Sequence, residues 1–157
     1  MGFRKNTSFS HRAATAIGRG LLAGVAGTAV MTVSSTVEAK ATGRGASTTP
    51  AQALGKVAGV QPRDEAGEQR LNTIAHWGYG TAWGLGRAAL DLAGLRGPWA
   101  TAAHFGAVLL AEQAMMPALG VGSPTPSYGM KAMATDAFHH AVYATATGAA
   151  YDYLFAR

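Results

Sequence analysis

The chain of 157 residues contains no cysteine and little charge. Asp, Glu, Lys and Arg together make up 13% of it, about half of the roughly 25% that is usual in soluble domains. The absence of cysteine excludes a disulfide-stabilised secreted module and any site built on thiolate ligands. The hydrophobic content of 48% excludes disorder driven by charge, while so few ionic side chains argue against an ordinary soluble domain.

Small side chains are abundant instead. The chain has 34 alanines and 21 glycines. Both residues contribute little burial in water, because each removes little apolar area from solvent. In a bilayer, helices associate through close backbone approach, and small residues favour that contact. The composition therefore favours one helical domain embedded in a membrane.

Four segments are long enough to cross a bilayer, which takes about 20 mostly apolar residues. They cover about 13–37, 71–95, 99–119 and 132–155. We predict an all-α fold, a four-helix transmembrane bundle with up-down-up-down topology. It forms a single helical membrane domain over 13–157, preceded by a basic N-terminal tail over 1–12. A soluble, alanine-rich four-helix bundle is the alternative.

Proline and glycine mark the connections between these segments. Thr49 followed by Pro50 predicts a short extra helix in the first connection, which Gly59 ends. Pro62 is expected to start the helix that continues into the second span. Segments 94–98 and 117–131 are expected to separate the remaining helices.

Small residues four positions apart predict the packing faces of the helices. They are Gly20 with Gly24, Gly80 with Gly84, the alanines at 103, 107 and 111, and Ala144 with Gly148.

The basic residues favour a multi-pass protein of the inner (plasma) membrane with both termini in the cytoplasm. Four of them precede Gly20 and Arg96 lies in the short second connection, although five in the first connection weaken the bias. The sequence Ala39-Lys40-Ala41 is typical of a signal-peptidase site, so cleavage after the first helix stays an alternative. The basic residues behind the net charge of +5 are scattered along the chain and form no basic stripe. We therefore expect the lipid bilayer rather than nucleic acid as partner.

Ionisable residues inside the predicted spans are the main functional lead, because their burial in lipid is costly. In the predicted topology, three acids and three histidines fall towards the non-cytoplasmic end, with Lys40 as the only basic residue nearby. On a helix, the Asp136 carboxylate reaches either of the histidines that follow three and four residues later. The six residues are Glu38, His76, Glu112, Asp136, His139 and His140.

Three chemistries fit this acid/histidine cluster. It could be proton-linked, since histidine titrates near neutral pH. It could bind a divalent metal ion through imidazole and carboxylate ligands, or the residues could only hold helices together. Asp136-x-x-His139 partly matches the Glu-x-x-His pairs of di-metal carboxylate bundles, with Glu38 and Glu112 as further ligands, although the second such pair is missing.

No catalytic motif is found, so we expect a non-enzymatic membrane protein whose cluster is proton- or pH-linked, with no cofactor. A metal-binding membrane protein is one alternative. The other is an interaction subunit that forms a homo-oligomer or binds a membrane-protein partner through its small-residue faces.

A second polar group falls towards the other half of the bundle, where arginines and aspartates near helix ends can pair and arginines can reach the lipid headgroups. Its members are Arg19, Arg87, Asp91, His104 and Asp152.

Two stretches resemble YagU-like inner-membrane proteins of bacteria. The first helix, GRGLLAGVAGTAVMT, is similar to the opening helix of small bacterial membrane proteins. The stretch MMPALGVGSPTPSYGMKAMATDAFHHAVY resembles the C-terminal half of the YagU-like family, and His76 also has a counterpart. The resemblance covers about 71–155 and implies an integral inner-membrane protein with no assigned catalysis and no cofactor. The matching positions of the second stretch are Pro117, Gly120, Pro124, Asp136 and His140.

Overall fold

The computed structural model describes residues 8–45, 47–122 and 125–154, and in these residues the protein is all-α, without strands. A 3-10 turn over Thr125–Tyr128 precedes the last helix, and a π-helical turn over Ala150–Leu154 follows it. The five helices are α1 (Phe9–Thr42), α2 (Thr49–Ala58), α3 (Glu65–Leu92), α4 (Gly97–Ala118) and α5 (Met130–Ala149).

The short helix predicted in the first connection is α2, with Pro50 in its first turn and Gly59 as its left-handed C-cap at φ 66°. The start predicted for the next helix at Pro62 is wrong. Asp64 has extended backbone, and its side chain accepts a hydrogen bond of 2.7 Å from the backbone N–H of Gly67. This bond satisfies a donor that a helix N-terminus leaves unpaired, so α3 begins at Glu65.

The first helix extends beyond the predicted span at both ends. Residues 9–12, which the sequence assigns to the tail, form the first turn of α1, and the Ser8 hydroxyl caps it by accepting from the backbone N–H of His11. Residues 1–7 lie outside the described residues. At the other end, α1 continues through Ala39–Ala41 and ends at Gly43, whose φ of 67° gives the left-handed C-cap.

Glycine brings α1 and α3 into close contact, and the two helices run antiparallel. Gly20 lies against Gly84, and one turn later Gly24 lies against Gly80. A Cβ atom on Gly84 would overlap the carbonyl oxygen of Gly20. The two predicted glycine pairs therefore form one contact face, and close backbone approach is the reason for glycine there.

Helix α5 packs between α1 and α4. On one side, Gly27 of α1 meets Tyr143 and Thr147 of α5. On the other side, Gly148 of α5 meets Thr101 of α4, and Ala144 is fully buried. Farther along α1, Ser34 contacts His139 of α5, and farther along α4, Glu112 contacts His140 of α5, so both pairs are antiparallel.

The alanine face predicted on α4 does not pack within this chain, because Ala103 and Ala107 are exposed. The buried face of α4 instead carries Ala100, His104 and Val108. The ring of His104 donates from Nε2 to the carbonyl oxygen of Trp83 on α3, over 2.9 Å. A polar side chain thus joins α4 to α3.

Small and polar side chains fill the interior of this protein. Among the described residues, the largest fully buried side chains are Arg87, His104, Thr28 and Thr147. Large aliphatic side chains point outwards: Val33 on α1, Ile74 on α3 and Leu110 on α4 are 65%, 63% and 70% exposed. Exposed aliphatic side chains are common on protein surfaces, so the fully buried arginine and histidine are the more informative feature.

By length and composition, α1 is the one described helix that could cross a membrane. A signal sequence or a buried core helix has the same properties, so this feature alone is weak support for a membrane protein. The other three predicted spans carry acidic or basic side chains, including Arg87, Glu112 and Asp136, which lower their hydropathy.

Candidate cation-binding site

Glu112, Asp136 and His140 meet where the second half of α4 crosses the first half of α5. Each offers one ligand atom, and the three atoms lie within 4.8 Å of one another. Asp136 lies one turn before His140 on α5, and the antiparallel α4 brings Glu112 to the same level. We refer to these three residues as the Glu112 trio.

His140 is almost wholly buried, with 8% of its surface exposed, and its ring nitrogens have different partners. Nδ1 lies 2.9 Å from the backbone carbonyl oxygen of Asp136 and 3.2 Å from the carboxylate Oδ1 of the same residue. A carbonyl oxygen only accepts, so Nδ1 carries a proton and donates it. Histidines that bind metal ions through Nε2 are commonly oriented by such a donation from Nδ1.

The other nitrogen, Nε2, faces Glu112. It lies 3.0 Å from Oε2, but Oε2 has no hydrogen-bond partner among the described residues, so this contact lacks hydrogen-bond geometry. Around a Zn²⁺ ion bound at about 2.0–2.2 Å, neighbouring ligand atoms lie roughly 3.3 Å apart. The 3.0 Å between Nε2 and Oε2 is an ion-pair distance a few tenths of an ångström below this ligand spacing, so a small separation of the two side chains would admit a cation.

The charge of the trio also favours a cation, since its only basic member is His140. The side chain of Glu112 is 25% exposed, and no described arginine or lysine forms an ion pair with it. Asp136 is held in place by Gln113, whose Nε2 donates to Oδ2 over 3.2 Å. Two carboxylates largely removed from water are costly unless a positive charge lies beside them.

Glu38 and His139 form a separate group. Nδ1 of His139 lies 2.9 Å from the hydroxyl of Ser34, and Nε2 lies 3.7 Å from Oε2 of Glu38. The expectation that Lys40 is the only basic residue near the cluster is wrong, since Arg44 forms a 2.7 Å ion pair with Glu38. The charge of Glu38 is therefore balanced within the chain.

His76 is the third part of the predicted cluster. The hydroxyl of Thr32 donates to the carbonyl oxygen of Thr28 over 2.7 Å, so its oxygen accepts from Nε2 of His76, 2.9 Å away. All six predicted residues thus lie at one end of the helices, but only Glu112, Asp136 and His140 bring ligand atoms within 4.8 Å of one another.

Sequence reasoning missed four partners of the cluster. Ser34 lies one turn before Glu38, so helical spacing offered a signal for it. Gln113 directly follows Glu112 and points to a different side of the helix, so spacing gave no signal there. Thr32 and Arg44 were not foreseen either. Arg44 follows the left-handed turn at Gly43. This turn directs the Arg44 side chain back towards Glu38, and a residue pattern does not specify such backbone geometry.

The second predicted polar group contains a buried ion pair. Arg87 is fully buried, pairs with Asp152 and lies 4.4 Å from the centre of the Tyr151 ring. The Tyr151 hydroxyl donates to Asp91 over 3.1 Å, and Asp91 also pairs with Arg96 at 2.9 Å. The predicted pairing of arginine with aspartate is confirmed for Arg87 with Asp152, whereas Asp91 pairs with Arg96, which the predicted group does not include.

No protein family, curated protein or solved structure matches this chain in sequence or fold comparisons. The resemblance to YagU-like proteins stays a prediction. Function is inferred below from the Glu112 trio and from the placement of polar and apolar residues.

Proposed function

We propose that the chain is a multi-pass integral membrane protein that binds a first-row divalent metal ion between Glu112, Asp136 and His140. The contact of His140 Nε2 with Glu112 Oε2, 3.0 Å long and without hydrogen-bond geometry, carries this proposal. Imidazole and carboxylate ligands suit ions such as Zn²⁺, Mn²⁺ and Fe²⁺. Three protein ligands leave a coordination position for water or a further ligand.

The distribution of side chains supports the membrane placement. Aliphatic residues cover the outside, while a buried arginine and histidine lie within. Ionisable side chains in membrane helices usually face the bundle interior. The stretch between Arg19 and Glu38 has no charged residue and spans about 27 Å at 1.5 Å per residue, close to the roughly 30 Å thickness of a hydrocarbon core.

Antiparallel contacts support the up-down-up-down bundle of α1, α3, α4 and α5. Helix α1 runs against α3 and α5, and α4 runs against α5. The many contacts that α1 makes favour its retention in the mature protein. We place both termini in the cytoplasm and α2 on the opposite side of the inner (plasma) membrane, because the distribution of basic residues favours this orientation.

A proton is the other cation that fits the trio. With a proton on both ring nitrogens of His140, the imidazolium would balance one of the two carboxylates. The proton-linked role predicted from the sequence therefore stays a prediction, and the metal test below separates the two. We infer a binding protein rather than an enzyme, because the sequence has no catalytic motif beside the trio.

Zinc binding by the protein purified in detergent tests the metal site. We expect one Zn²⁺ per chain in the wild type, measured by elemental analysis after equilibrium dialysis. His140→Gln and Glu112→Gln should weaken binding by more than about 100-fold, because loss of a ligand costs more than loss of its supporting hydrogen bonds. Bound Zn²⁺ should also raise the unfolding temperature of the wild type.

His139→Gln is the matched control, since His139 is adjacent, equally buried and outside the trio. It should bind Zn²⁺ as the wild type does. A wild type that takes up no Zn²⁺ would leave the proton as the only cation for the site and overturn the metal proposal. Equal binding by wild type and His140→Gln would place the ion elsewhere and overturn it too.

A further inference from the structure

A basic cavity lies at the end of the molecule opposite the Glu112 trio. Its volume is about 280 Å³, slightly below the usual range of about 300–1,000 Å³ for small-molecule sites. The first turns of α1 form one wall, and the end of α3 with the turn into α4 forms the other. The residues that define its charge are His11, Arg12, Arg19, Asp91 and Arg96.

The cavity has more positive charge than it can balance. Arg96 pairs with Asp91 at 2.9 Å, and the second carboxylate oxygen of Asp91 accepts from Tyr151. Among the described residues, neither Arg12 nor Arg19 has an ion-pair partner. Two guanidinium groups on one face of α1 are therefore available to an anion.

By contrast, a cavity of about 470 Å³ beside α2 has balanced charge. Lys56 and Arg63 line it together with Asp64 and Glu68. This cavity therefore favours neither anions nor cations. The cavity at the start of α1 differs from it in its excess of arginine.

The depth of the basic cavity matches a lipid head-group region. Arg19 directly precedes the charge-free stretch of α1 that we place in the hydrocarbon core. At the same end, Trp99 lies in the first turn of α4 and Tyr153 in the π-helical turn after α5, and these side chains are 78% and 80% exposed. Exposed tryptophan and tyrosine are enriched at the membrane–water interface.

We propose that this cavity binds the phosphodiester head group of an anionic phospholipid. A guanidinium group presents paired N–H donors that match two phosphate oxygens. Basic pockets between membrane helices on the cytoplasmic side are suited to anionic head groups, and the cavity lies on that side in the proposed topology. This inference rests on the membrane placement proposed above and is independent of the metal site.

Lipid retention by the full chain tests the proposal. The protein is extracted from mixed vesicles of phosphatidylglycerol and phosphatidylcholine, and the retained lipids are counted by native mass spectrometry. We expect the wild type to retain phosphatidylglycerol preferentially. Each arginine should account for about a five-fold preference, so the double variant Arg12→Gln/Arg19→Gln should lose most of the selectivity.

The matched control is Arg63→Gln/Arg70→Gln, which removes the same charge from exposed positions outside the basic cavity. It should retain phosphatidylglycerol as the wild type does, and equal helicity of all variants excludes misfolding. Equal loss of selectivity in both double variants would overturn the inference, because it would show a general charge effect.

Other outcomes separate this inference from the membrane placement. Retention of both lipids without preference would overturn the head-group site alone. Retention of no lipid would count against the membrane placement as well. If inorganic phosphate in excess displaces phosphatidylglycerol from the wild type, the phosphate group is the part recognised. Binding of inorganic phosphate by a chain that retains no lipid would overturn the lipid as ligand.

Discussion

Arg87 is fully buried, and its surroundings show how this chain keeps a charge inside. Asp152 supplies the opposite charge, and the face of the Tyr151 ring lies against the guanidinium. Both partners lie on the π-helical turn that follows α5. Two guanidinium nitrogens, Nε and Nη1, have no hydrogen bond among the described residues, so the ion pair carries most of the compensation.

Removal of the carboxylate from this pair should destabilise the protein strongly. Asp152→Asn keeps the side-chain shape but leaves the buried guanidinium without a counter-charge, and we expect a loss of about 3 kcal/mol in the free energy of unfolding. Thermal unfolding in detergent, followed by helical circular dichroism, measures it. Arg44→Gln breaks the more exposed Arg44–Glu38 pair and should cost less than about 1 kcal/mol. Equal losses in the two variants would contradict this account.

At the scale of helices, small residues set the distances between axes. The approach of α1 and α3 depends on glycine on both sides, since a Cβ at Gly20 or Gly84 would meet the backbone of the other helix. Helix α4 differs, because Ala103 and Ala107 of its predicted alanine stripe are exposed and His104 lies on its buried face. Whether the exposed stripe binds another helix, as the predicted interaction subunit would require, stays a prediction.

Substitution of the contact glycine should separate the two helices. Gly84→Ala places a methyl group against the Gly20 carbonyl, and overpacking of this kind costs about 1–3 kcal/mol. Gly78→Ala, six residues earlier on α3, is the control because nothing lies within 4 Å of its added Cβ. It should be neutral or stabilise the helix by up to about 1 kcal/mol. Unfolding temperatures in detergent give both values, and a Gly84→Ala protein as stable as Gly78→Ala would disprove the close contact.

Sequence pattern predicted the elements better than the contacts between them. Thr49-Pro50 and Gly59 bound α2 as expected, because cap and breaker residues act through local backbone geometry. The helix start predicted at Pro62 is wrong, because the side chain of Asp64 caps the helix and α3 begins at the next residue, Glu65. The contact of Asp136 with His140 was also predicted, because residues four apart on a helix lie on one face. The position of Glu38 outside the Glu112 trio was not predicted. It depends on Arg44, which follows the end of α1 and folds back to pair with Glu38.

Among the described residues, the charges that no ion pair balances differ in sign between the two ends of the molecule. Acids and histidines gather near the second half of α1, and unbalanced arginines gather near its start. Between them lies a stretch of α1 without charge and an interior of alanine, glycine and threonine. In the proposed membrane placement, one end offers a site for a metal cation and the other a site for an anionic head group, on opposite sides of the bilayer.

The sidedness of the two ends can be measured directly, because the chain has no cysteine of its own. Single cysteines replace exposed residues at the proposed cytoplasmic end, Ser10 and Leu95, or at the opposite end, Ser47 and Lys131. A membrane-impermeant maleimide should label Ser47→Cys and Lys131→Cys on intact cells, and Ser10→Cys and Leu95→Cys only after lysis. The reverse pattern would invert the orientation that the basic residues favour but keep the four spans. Labelling of all four positions on the same side would rule out an up-down-up-down bundle across the membrane.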